Sequence, residues 1–180
     1  MSRNELCSHI VLLRSRLRDQ LELCRHLEQN GFTAYLVLGT YEILAEFRGK
    51  YEQLMTTLES DQVRQRIFAP RRKPSDSIIV LGLDGEPGGF PEGSVIRCYV
   101  FATFEHETDV EVGIRQLLSG GIECLRVRPL TSRVLGEFPH ILAKVHFESM
   151  AALRRYLLNK LGNLAQQNGL ELRTTTFMVL

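Results

Sequence analysis

The chain has 180 residues, 44% of them apolar, enough for one large domain or two of ~90 residues with a buried core. Its 22 Lys and Arg nearly balance 21 Asp and Glu, leaving a formal net charge of +1. That balance excludes the strongly basic field needed to hold a nucleic-acid backbone over many contacts. No run reaches the ~18 continuous apolar residues of a membrane span. Glu5 precedes the first apolar run and Arg14 cuts it, which is not a secretory-signal pattern. The expected location is the cytoplasm, with no membrane and no direct DNA binding. Cys7, Cys24, Cys98 and Cys124 form no close C-x-x-C pair, so buried free thiols are expected rather than a zinc or redox site.

Taken in order, residues 4 to 29 read as one long helix. Leu6, Ile10, Leu13, Leu17, Leu21, Cys24 and Leu27 step by three or four, and Asn30-Gly31 supplies the stop. A helix-turn-helix reader needs a break between two short helices, and none is visible here. Phe32 to Leu38 and Tyr41 to Phe47 follow as strands joined through Gly39-Thr40, a turn short enough for an antiparallel hairpin. Tyr51 to Leu58 is a predicted helix, Val63 to Phe68 a predicted strand, and Ile78 to Leu81 another. Asp84 to Gly93 is the clearest loop. It has neither a G-x-G-x-x-G nor a P-loop pattern, so it is read as a linker rather than a phosphate cradle.

In the second half Val95 to Phe104 is a predicted strand and Asp109 to Leu118 a helix ended by Gly120-Gly121. Ile122 to Leu135 is a predicted strand, edge or bulged at Pro129, paired with Ile141 to Phe147. Met150 to Ala165 is a helix with Leu153, Leu157, Leu161 and Leu164 in register, and Leu170 to Leu180 closes as a β-branched strand. The order βαββαβ is that of the ferredoxin-like split unit. A short phrase recurs 97 positions apart, as Leu36-Val37-Leu38-Gly39-Thr40-Tyr41-Glu42-Ile43-Leu44-Ala45 and Arg133-Val134-Leu135-Gly136-Glu137-Phe138-Pro139-His140-Ile141-Leu142-Ala143.

The expected class is therefore α+β, with ferredoxin-like units of the dimeric α/β-barrel type, tandem or pseudo-repeated, and antiparallel sheets carrying helices on one face. The expected division is a long helix with a partial repeat over 1–81, a linker over 82–94 and a complete unit over 95–180. The apolar face without helices must be covered, by a partner chain or by the other half of this one.

The second half also resembles the effector-binding and assembly domain of the Lrp/AsnC (feast/famine) regulators. The resemblance lies in Val134-Leu135-Gly136-Glu137-Phe138, the run Ile141 to Val145, and the Thr-rich final strand ending Val179-Leu180. Pro139 stands where that family has an acid, and no helix-turn-helix precedes the domain. The resemblance implies a homo-oligomeric module that senses a small-molecule effector, amino acids included, and acts in transcriptional regulation through partners. By that analogy Gly39, Thr40, Tyr41, Glu42, Gly136, Glu137, Phe138 and His140 would line the ligand site. A separate reading is a purely structural partner protein that joins a DNA-binding homologue in a mixed oligomer. Neither cofactor nor metal is expected.

The alternative is a small enzyme or haem-binding protein, because ferredoxin-like dimers also house haem and cofactor-free oxygenase pockets. His140 or His146 would then serve as axial ligand or base. The two flank one strand with a spacing of six, ~20 Å apart, too far to share a metal. His106 lies in the acidic run Glu105-His106-Glu107-Thr108-Asp109, read as a helix N-terminus favoured by its acids.

Overall fold

The computed structural model describes residues 7–67, 77–106, 109–130 and 138–180. Its described residues form two compact units, one of 7–85 with 128–130 and Leu180, the other of 86–127 and 138–179.

The first unit runs β1 (Cys7–Leu13), α1 (Gln20–Gln29), β2 (Phe32–Leu38), β3 (Ile43–Gly49), α2 (Tyr51–Leu58), α3 (Asp61–Arg64) and β4 (Ile78–Leu83). β1 pairs antiparallel with both β3 and β4, and β2 pairs with β3. Val11, Ala45 and Val80 lie side by side in that register and face Leu23, Leu27, Leu54, Leu58 and Val63 of the helices. The intervening residues Ile10, Leu12, Leu44 and Leu81 are buried as well.

Two sequence expectations change here. The helix expected over residues 4 to 29 is a strand at Cys7–Leu13 and a helix only from Gln20, after a single 3-10 turn. A strand buried on both faces loses the period of two and reads as a continuous apolar run, so its residues merged into the helical stepping of Leu17 to Leu27. With β1 in place the first unit is a whole βαββαβ unit, not a partial copy. The strand expected at Val63 to Phe68 begins inside the short helix α3, and among its described residues Ile67 makes the one bridge, to Ser15.

The second unit runs β5 (Ile96–Phe104), α4 (Val110–Ser119), β6 (Leu125–Pro129, its last two residues in the first unit), β7 (Ile141–Phe147), α5 (Met150–Arg155), a π-helical segment (Tyr156–Gly162), α6 (Asn163–Gln167) and β8 (Leu172–Val179). β5 is central, antiparallel to β7 on one side and to β8 on the other. Its even-numbered residues, Ile96 to Phe104, pack with Val110 and Leu117 of α4 and with Leu153, Leu161 and Ala165 of the C-terminal helical run. β6 is shorter than expected, and 131–137 lie outside the described residues. Both units are α+β, with an antiparallel sheet and helices on one face. That is the ferredoxin-like class of the dimeric α/β-barrel type.

Candidate functional site

In the first unit the residues that the glycine phrase singles out hold the backbone together. Gly39, Thr40, Tyr41 and Glu42 form the connection between β2 and β3, four residues rather than two, closed by Val37 N–H donating to Glu42 O at 2.9 Å. Gly39 is not among the described glycines with positive φ, so the turn does not depend on one there. Glu42 Oε2 accepts from Ser15 N–H at 3.0 Å, and the buried Tyr41 ring lies under the Arg14 guanidinium at 5.0 Å. Both side chains secure the end of β1.

In the second unit Phe138 and His140 precede β7, while Gly136 and Glu137 lie outside the described residues. Phe104 N–H donates to His140 Nδ1 at 3.0 Å, and the two rings stack with centroids 6.0 Å apart. The neutral imidazole therefore carries its proton on Nε2 and has spent its Nδ1 lone pair on the backbone. That geometry does not suit the general base or haem ligand considered above. His146 is exposed, opposite Arg97 on β5. The groove described below is not lined by a histidine. Among the described residues no group of three or more His, Cys, Asp or Glu could hold a metal ion.

A groove of about 610 Å³ lies between the C-terminal helical run and the start of β8. Ser149 opens that run, its Oγ accepting from Ala152 N–H at 3.2 Å. The π-helical segment that follows presents Leu157, Leu161 and Gly162 to the groove. Such wide turns recur at functional sites. Ala165, Leu170 and Leu172 complete an apolar floor.

Charged groups gather at the rim for a reason of register. Phe104 pairs with Leu172, so the next pair outward sets Glu105 opposite Glu171, and Glu105 N–H donates to Glu171 O at 3.0 Å. Two like charges directly across a sheet repel. Here the carboxyls relieve this with a hydrogen bond between them. Accepting that bond lowers the Glu105 pKa, helped by Arg173 and His106. The same bond, then the Glu105 charge, raises Glu171 above its ordinary 4.5. The pair behaves as one unit that holds its last proton longer than an isolated glutamate would. Arg173 lines the groove beside it.

No protein-family model matches the chain, and no curated protein does. Solved structures do. An anthrone oxidase-like protein matches at 11% identity and TM-score 0.52, over 100% of this chain and 94% of that one. A "putative monooxygenase" from Fusobacterium nucleatum subsp. nucleatum matches at 8% and 0.57 over 100% and 94%, and another from Lactobacillus acidophilus NCFM at 10% and 0.52 over 96% and 92%. The likeness is one of fold.

These neighbours overturn the resemblance to Lrp/AsnC effector domains, and the regulatory role it implied goes with it. A hairpin after the first helix and a β-branched last strand fit any ferredoxin-like unit, so they did not discriminate between families that share the architecture.

The sequence reading also missed Glu105, Glu171 and Arg173. Glu105 stood in an acidic run taken for a helix start, and Glu171 in a terminal strand. Aligning the predicted strands antiparallel would have set the two opposite each other.

Proposed function

We propose that the chain is an oxygen-dependent oxidase that converts an activated methylene between aryl or carbonyl groups into a ketone. The observation that carries this reading is the Glu105–Glu171 pair set against an apolar groove with Arg173 beside it. The fold likeness to an anthrone oxidase-like protein and to monooxygenase-named proteins supports it.

Two carboxyl groups whose environments push their pKa values apart are the expected form of an acid/base device. The apolar floor of Leu157, Leu161 and Leu172 suits a flat aromatic body and displaces water from it. With the pair fully ionised, Glu171 takes the first C–H proton, and Arg173 stabilises the enolate oxygen that forms. The carbanion combines with O₂ to give a peroxide anion, which receives the proton back from Glu171. Glu171 then removes the second C–H proton as the O–O bond breaks and the carbonyl forms. The departing hydroxide takes that proton from Glu171 and leaves as water. In sum R₂CH₂ + O₂ gives R₂C=O + H₂O, and the carboxylate is restored.

The test is the pH profile of kcat/KM on such a substrate. For the native chain it should rise as the pair loses its last proton, above the ordinary glutamate range. Glu171→Gln should lower kcat/KM by about 10²–10⁴ on the plateau above that rise and abolish the acid limb. Glu105→Gln removes the like charge and leaves Glu171 ionising at lower pH, so the acid limb should move down with a smaller loss of rate. Equal, pH-independent losses in both variants would remove the pair from the chemistry.

A further inference from the structure

The helical run from Met150 to Gln167 carries one glycine in its interior. Gly162 ends the π-helical segment and α6 begins at the next residue, with φ −65° and ψ −46°, ordinary helical values. Glycine is the poorest helix former after proline, so a helix interior holds one where something else requires it.

Neither backbone nor packing requires it here. Gly169, which lines the same groove, holds φ at +65°. Gly113 in α4 has the Phe104 ring 2.4 Å from where its Cβ would stand. Beyond its adjacent residues and its own helix turn, a Cβ at Gly162 would meet only the Leu157 backbone oxygen, at 3.4 Å, an ordinary contact. No atom of β8 lies within 4 Å of that position.

The groove supplies the reason that the fold does not. Gly162 is half-buried on its helical wall, among Leu157, Leu161, Ala165 and Gln166, and is the one of these five positions with no side chain. Leu157 precedes it by five residues, the span of a π-helical turn, so the wide turn sets both on that wall. A side chain at position 162 would stand in the groove.

We propose that Gly162 is a specificity-determining residue: the space it leaves admits a third fused ring, and a side chain there would restrict the groove to two-ring bodies. This rests on reading the groove as the substrate site. A body that brings its methylene to Glu171 and lays its rings on Leu161 and Leu172 runs along the helical wall past Gly162. The volume of about 610 Å³ lies within the ~300–1,000 Å³ of pockets that enclose bodies of this size. Position 162 is where a single substitution takes part of that room away.

The experiment is calorimetric titration of the full chain without oxygen, so that binding is read apart from turnover, with anthrone and with the two-ring 2-tetralone. Native protein should saturate with both and bind anthrone more tightly. Gly162→Leu should lower the ratio of anthrone to tetralone affinity at least about tenfold, and Gly162→Ala should lower it less. Because nothing in the fold needs the glycine, Gly162→Ala should also raise the thermal midpoint by about 1–4 °C. A glycine kept for packing would give the reverse. The proposal is overturned if the ratio is unchanged in Gly162→Leu, if native protein does not saturate with anthrone, or if Gly162→Ala lowers the midpoint. Admitting oxygen to the native samples separates the two readings. Affinities that shift as stated, with no ketone formed, would refute the oxidase reading and support the selection of ring number by Gly162.

Discussion

His9 sits on β1 with 3% of its surface exposed, its ring about 6 Å from those of Phe47 and Tyr51. Burial lowers its pKa from 6.5, and backbone hydrogen bonds with Phe47 and Cys7 offset part of that. The unfolded chain therefore takes up this proton at a higher pH than the folded one. The stability that neutral His9 carries is complete above pH 6.5 and is lost as pH falls through the folded value. Urea unfolding of the native chain should show this loss below pH 6.5, with a slope of at most about 1.4 kcal/mol per pH unit from this one group. His9→Gln should flatten the slope. An identical pH dependence in native and variant protein would mean that His9 is already protonated in the fold.

At the level of elements, Gly113 of α4 faces the Phe104 ring of β5. A Cβ at Gly113 would stand 2.4 Å from the Phe104 ring, which is itself 2% exposed and walled in by the core. Replacing an unconstrained helix glycine with alanine gains about 0.5–1 kcal/mol. Here overpacking against a fixed ring costs more, about 1–3 kcal/mol, so Gly113→Ala should lower the midpoint of urea unfolding. A gain in stability would show that the ring gives way. This contact was not legible in the sequence, where Gly113 is one small residue in an otherwise ordinary helix. β1 was hidden for the opposite reason: His9-Ile10-Val11-Leu12-Leu13 is buried on both faces and has no alternation to read. β7 was legible to the residue, because Ile141 to Phe147 is a compact β-branched and apolar run that starts just after Pro139 and His140.

At the scale of the molecule, the βαββαβ order of the second half and the recurrence of its glycine hairpin were enough to give the fold class. No helix among the described residues is long and apolar enough to cross a membrane. The site was far less accessible. Glu105 and Glu171 stand 66 positions apart, each unremarkable in its local run, and become a pair only through the register of β5 and β8. The groove likewise depends on a π-helical segment that the regular spacing of Leu153, Leu157 and Leu161 concealed as plain α-helix. The first copy of the glycine phrase, conspicuous in sequence, marked a connection whose Tyr41 and Glu42 side chains brace the end of β1.

The central claim is oxygen-dependent conversion of a methylene to a ketone at the Glu105–Glu171 groove. The most direct measurement is oxygen uptake by the purified chain with anthrone, product formed being followed in the same vessel. The account predicts one ketone formed for each O₂ consumed, at a rate well above the uncatalysed oxidation and reduced about 10²-fold or more in Glu171→Gln. Uptake no faster than without protein, or equal rates for the native and Glu171→Gln chains, would contradict it.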